Sequence, residues 1–154
     1  MKVFIQNEAG SFIKHSHNEK TLELLGTAQV SRAYPFPYGF VLDTTAEDGL
    51  NVDSFLLTRT HFKTGQIVEC HPFGLMEQFE DGKEDHNVLA VLPGETPLFN
   101  DDTKHALTQF VAHVFDHIPS KSIAVGEFRD RQAAEAFIDG HRDSIAAERT
   151  RPPA

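Results

Sequence analysis

Through most of the chain the apolar residues come in short runs broken by turn residues; near the C-terminus they switch to a helical repeat. Residues 2–6 and 11–17 read as β-strands separated by Glu8-Ala9-Gly10, because alternating or clustered apolar and β-branched residues bounded by turn formers suit a pleated surface. Residues 38–42 and 54–58 are two further apolar segments, and they flank an acidic stretch. Residues 66–71 and 88–92 are two more, with a charged loop over residues 77–87 between them and a Pro/Gly turn cluster at 93–97. The period then changes. Behind N-cap candidates at Asn100, Asp101 and Asp102, the residues Ala106, Leu107, Phe110, Val111, Val114, Phe115 and Ile118 recur at helical spacing, up to Pro119. Residues 123–125 suggest a last strand. Asp130 can cap a second helix whose stripe is Ala133, Ala134, Phe137, Ile138 and Ile145. Many short strands followed by two helices predict an α+β fold.

A length of 154 residues suits one domain, here expected over residues 1–148, with residues 149–154 forming a disordered tail. The formal charge of −9 argues against nucleic acid or an anionic membrane as partner, since both require a basic surface. It permits an anionic substrate if divalent cations carry the compensating charge. The single cysteine, Cys70, excludes an intrachain disulfide and reads as a half-buried strand residue. With no long apolar run and no signal-peptide pattern, the cytoplasm is the expected compartment.

Candidate chemistry concentrates in one region. Both tyrosines of the chain lie in Tyr34-Pro35-Phe36-Pro37-Tyr38-Gly39-Phe40, where two prolines stiffen the backbone and Gly39 allows a close turn. Carboxylates follow at Glu47, Asp48 and Asp53, a density of hard oxygen ligands that suits Mg²⁺. Phenol donors beside a carboxylate-bound divalent cation make a phosphate-handling site. A second acidic group, Glu80-Asp81-Gly82-Lys83-Glu84-Asp85, precedes Val88-Leu89-Ala90-Val91. Taken singly, Asp48-Gly49 is a common turn and residues 77–84 a solvated acidic loop; order and spacing relative to the tyrosines set them apart.

The block Tyr-Pro-x-x-Tyr-Gly-Phe followed by Asp-Gly-x-x-x-Asp resembles the core of the soluble family I inorganic pyrophosphatases. The likeness extends through Gly65-Gln66-Ile67-Val68-Glu69-Cys70-His71-Pro72-Phe73-Gly74-Leu75 and the second acidic loop to the helix pair, from about Val3 to Ile145. It implies a small five-stranded OB-like β-barrel with additional strands and two C-terminal helices. It further implies Mg²⁺, with Mn²⁺ as an alternative, and pyrophosphate or another phosphoanhydride as substrate. By resemblance Asp48, Asp53, Glu80 and Asp85 match metal-binding acids, Lys14, Tyr34 and Tyr38 match catalytic positions, and Lys14 and Tyr38 match substrate-binding ones. Homo-oligomer formation, as a hexamer, is implied through the helix carrying His113 and His117.

Departures from the family pattern are equally specific. The middle aspartate of the central motif, the family's general base on the attacking water, is Leu50 here. Gln6, Ser16, Gly26, Asn87 and Ile118-Pro119 occupy other functional positions, and Arg32 or Arg59 are the candidates to replace lost positive charge. Two functions remain open: a divergent pyrophosphatase of weakened activity, or a catalytically inactive protein of that fold binding a divalent cation or phosphorylated ligand. Period two along residues 14–17 sets His15 and His17 on the face opposite Lys14. His86 reads as a solvated loop residue.

Overall fold

The structure, a computed structural model, describes residues 1–144; Ile145 and the tail expected at residues 149–154 lie outside the described residues. Ten strands and two helices follow in the order β1 (Lys2–Asn7), β2 (Ile13–His17), β3 (Leu24–Gln29), β4 (Tyr38–Val41), β5 (Asp53–Leu56), β6 (Ile67–Glu69), β7 (His71–Glu80), β8 (Lys83–Glu84), β9 (Asn87–Val91), α1 (Asp101–His113), β10 (Ile123–Arg129) and α2 (Arg131–Gly140). The fold is α+β. One mixed sheet runs β10-β7-β9-β5-β4-β1-β6, with β8 paired to β7, and β2 and β3 form a separate hairpin. Among the described residues β6 and β10 are its two edges, so the strands curl around the core without a closing ladder.

The central strands are apolar on both faces because each face is covered. β9 (Asn-Val-Leu-Ala-Val) is buried throughout and pairs parallel to β5 and antiparallel to β7. One core, around Val3, Ile5, Val41, Leu56 and Val88, is closed by Ala134 and Ile138 of α2. The other, around Tyr34, Phe55, Met76 and Leu89, is closed by Leu107, Phe110, Val111 and Val114 of α1 and the turn after it. Asn100 and Thr103 cap α1 reciprocally, each side chain bonding the other's backbone N–H. Asp130 accepts from the Ala133 N–H at the start of α2. The sheet reads its glycines closely in one place. A Cβ on Gly39 would overlap the Phe4 carbonyl oxygen on β1, so the residue after Tyr38 has to be glycine for β1 and β4 to pair.

The structure departs from the pattern read in the sequence in several places, β3 being a strand that the pattern did not predict. The charged segment 77–87 is mostly strand: β7 runs to Glu80 and turns back at Asp81 (φ 51°) and Gly82 (φ 80°) into β8. The helical stripe up to Ile118 ends earlier, at His113. Beyond it Asp116 bonds His113 and Ile118 bonds Phe115 in three-residue turns, and Pro119 disfavours helix at Ile118. His86 is buried, with its Nδ1 against the Gln78 N–H at 3.0 Å and its ring near Phe79 and Phe137. Cys70 is fully buried, and burial pushes its thiol up to about 12.

Candidate active site

One cavity of about 310 Å³ opens where β2, β4, β5, β7 and the end of α1 meet. Lys14, Tyr34, Tyr38, Asp48, Asp53, Glu80 and Asp85 all line it, although they come from distant parts of the chain. Tyr38 begins β4 and pairs with Phe55; Asp53 begins β5 between Phe40 on one side and Asn87 on the other. Tyr34 is tied down by its own backbone, which bonds Ser11 and Gly10, and its ring packs 4.6 Å from Phe110 and 5.5 Å from Tyr38. The two phenols therefore share a wall.

The acidic loop between β4 and β5 is folded by its own polar groups. Asp48 Oδ1 accepts from the Leu50 N–H at 2.9 Å, Gly49 takes a φ of 84°, and Thr44 Oγ1 accepts from the Val52 N–H. The tip of the β2–β3 hairpin grips this loop. Glu19 Oε1 accepts from the Asn51 N–H at 2.9 Å, while Lys20 Nζ donates to the Thr44 carbonyl, Thr45 Oγ1 and Asn51 Oδ1. Glu19 faces the cavity; Leu50, half exposed, lines it too.

Charge in the cavity is unbalanced. Five carboxylates (Glu19, Asp48, Asp53, Glu80, Asp85) face two ammonium groups, Lys14 and Lys121. Burial, then repulsion by Asp85, Glu19 and Asp48, raises Asp53 well above the ordinary carboxylate range, against the Tyr38 hydroxyl that bonds its ionised form. Burial and the charges of Asp48 and Glu80 raise Asp85. Burial pushes Glu19 up to about 7, with Asp48 adding to the shift and the Asn51 N–H, Lys20 and Lys14 opposing it. Burial and Asp53 likewise hold both phenols protonated, as hydrogen-bond donors. Asp85 accepts from Gln78 Nε2 at 3.2 Å, and Gln78 Oε1 accepts from Asn87 Nδ2 at 2.7 Å, a polar floor beneath the acids.

An excess of hard, negatively charged oxygens suits a divalent cation. Among the described residues no three acidic, histidine or cysteine groups already form a closed cage. Mg²⁺ keeps several waters and takes one or two carboxylates plus oxygens of a phosphate ligand, so hard carboxylate oxygens in this density are a fitting donor set. Glu80 is partly committed, bonded to Lys121 Nζ at 2.9 Å.

Further residues belong to this wall, some expected from the sequence and some not. Gln6, Ser16 and Asn87 line the cavity as neutral groups. Lys121 supplies the second cation; Arg32 and Arg59 line other surface clefts. Its Nζ lies 4.4 Å from the Phe115 ring centroid, with Lys14 Nζ 4.9 Å from the same centroid. His17 also reaches the wall, contrary to strict alternation, because the β2–β3 register slips between Ser16 and His17. Glu19 and Lys121 had no signal in spacing: each sits in a turn, and only the packing of those turns brings them in.

The family model for inorganic pyrophosphatase matches residues 3–146. This chain belongs to the inorganic pyrophosphatase family. A relative from Saccharolobus solfataricus, an inorganic pyrophosphatase, is 30% identical over 125 residues, covering 76% of this chain and 73% of its own. Another inorganic pyrophosphatase, from Halalkalibacterium halodurans, is 28% identical and covers 90% of this chain and 91% of its own. Among solved structures, one described as an inorganic phosphatase from Anaplasma phagocytophilum superposes with a TM-score of 0.84 at 25% identity, over 96% of this chain and 93% of that one. The inorganic pyrophosphatase of Thermus thermophilus shares the fold at a TM-score of 0.83 and 22% identity, over 97% and 91% of the two chains. Among the described residues no helix is long and apolar enough to cross a membrane.

Proposed function

We propose that this chain hydrolyses pyrophosphate to two phosphates with the help of divalent cations, Mg²⁺ or Mn²⁺, at a rate below that of an ordinary family member. One observation carries the reading: two phenols, two lysines and a surplus of carboxylates share a single cavity of about 310 Å³. Asp48, Asp53, Glu80 and Asp85 would hold the cations. When bound, the cations supply positive charge against the phosphates and make the attacking water more acidic.

The chain's own residues do the rest. Lys14 and Lys121 would bind phosphate oxygens as point charges, and the protonated Tyr34 and Tyr38 hydroxyls, which share the cavity wall, would donate to them. Phe110, Val111, Val114 and Phe115 form an apolar wall that keeps bulk water from that side. Position 50 offers no proton acceptor, because leucine has none. General-base assistance is worth about 10²–10⁴-fold, and this is the range by which residue 50 alone would slow the reaction.

Phosphate release from pyrophosphate, measured with Mg²⁺ and with Mn²⁺ on rigorously purified protein, tests the reading. Slow, cation-dependent release is expected; none at all overturns it. Leu50 also favours a second reading, an inactive protein that binds a cation or a phosphorylated ligand. Calorimetric binding of pyrophosphate without release of phosphate would select it.

Assembly as a homo-oligomer, a hexamer by analogy, and a cytoplasmic location complete the proposal. Within the chain His113 Nδ1 bonds Asp116 at 2.9 Å and His117 Nδ1 bonds Ser31 at 2.7 Å. Both histidines lie at the end of α1 or in the turns after it, where a neighbouring subunit would meet them. Light scattering of the purified protein checks the mass.

A further inference from the structure

We infer that Glu19, from the tip of the β2–β3 hairpin, is the proton acceptor of this site and stands in for the carboxylate that position 50 lacks. The inference rests on the pyrophosphatase reading and deepens it. Three geometric facts carry it. Glu19 lines the same cavity as Asp48, Leu50 and Asp53. Its Oε1 accepts from the backbone N–H of Asn51 at 2.9 Å, which fixes the carboxylate beside residue 50 itself. Among the described residues Oε2 has no hydrogen-bond partner, so one oxygen is anchored and the other is free to take a proton.

The neighbouring cation makes no hydrogen bond to Glu19 among the described residues. Lys20 Nζ is already used by the Thr44 carbonyl, Thr45 Oγ1 and Asn51 Oδ1, and these bonds hold the hairpin tip on the acidic loop. The tip thereby delivers a carboxylate by tertiary contact to the place where the loop's own residue is apolar. A proton acceptor needs only reach and orientation, and it can come from any segment that packs there.

The step balances without a further reactant. The water oxygen forms a bond to one phosphorus as the bridging P–O bond breaks, and the electron pair of that bond leaves on the departing phosphate. Glu19 takes one proton from the water during attack and returns it to the departing phosphate. Pyrophosphate and one water become two phosphates, and Glu19 ends as it began.

Glu19→Gln tests this while keeping an oxygen for the Asn51 N–H. We expect kcat for pyrophosphate to fall about 10²-fold or more, in the range of general-base loss. Calorimetric binding of methylenediphosphonate with Mg²⁺ should stay within about threefold, with circular dichroism unchanged. Leu50→Asp should raise kcat at least about tenfold in the Glu19→Gln background but less than about threefold in the wild-type background, whereas an equal gain in both marks Glu19 as merely structural. Wild-type turnover together with a Glu19→Gln kcat within about threefold of it overturns the Glu19 role alone. A double variant no faster than Glu19→Gln also overturns it, and a wild-type protein that releases no phosphate overturns both readings.

Discussion

Two lysines carry the positive charge of the cleft, and they differ in how they are held. Lys14 rises from β2, whereas Lys121 lies in the turn before β10, bonded to Glu80 and partly exposed. An exposed ion pair of this kind contributes about 0–1 kcal/mol to stability. A charge-assisted bond to a phosphate is worth about 1.5–3 kcal/mol. The Lys121→Met variant should therefore fold with an unchanged melting temperature but show a KM for pyrophosphate about tenfold higher, with kcat altered less than about threefold. Steady-state kinetics and calorimetry on the same preparation check both halves. At this scale the tyrosine pair and Asp48, Asp53 and Asp85 were legible as candidates for one cavity because their order and spacing along the chain resemble a family motif. Glu19 and Lys121 were not, since their approach depends on how two turns fold over the cavity mouth.

Among the elements, β1 and β4 form the pairing on which Tyr38 depends. Gly39→Ala would drive a methyl group into the Phe4 carbonyl of β1, a backbone atom that cannot swing aside. Destabilisation of about 3 kcal/mol or more is expected, read as a lower urea midpoint at unchanged slope. Legibility of the elements follows burial. β1, β4, β5 and β9 were visible because their apolar residues face packed cores, and α1 and α2 because their stripes close those cores. β3 was invisible: Leu-Leu-Gly-Thr-Ala-Gln is exposed along its length, with no inward face to impose a pattern. β7 was half hidden, because its charged end lay in a segment read as a loop and Pro72 and Gly74 interrupt its apolar run. In the sheet they lie at an irregularity in the β7–β9 register, where a missing ladder bond is tolerated.

For the molecule as a whole, the cleft sets a conflict between stability and function. Glu19 is pushed from the ordinary 4.5 to about 7, and Asp53 and Asp85 are raised as well. Between those values the folded state holds a proton that the unfolded chain has released. Stability of the metal-free protein therefore falls as pH rises from about 4.5 through 7, and stays low above that. Scanning calorimetry in EDTA should show a melting temperature lower at pH 8 than at pH 5, by on the order of 5 °C for a chain of this size. Mg²⁺ should raise it more at pH 8 than at pH 5, since it binds the ionised acids and neutralises their repulsion. Equal melting temperatures at the two pH values in EDTA would show that these acids are not strained.

The three bonds at the Lys20 ammonium have a bearing on how spent phosphate escapes. They rivet the hairpin tip to the rim that carries Asp48 and Leu50, so neither can swing alone without breaking them. If the cleft widens on this side to release phosphate, the hairpin tip and the acidic loop travel together as one flap.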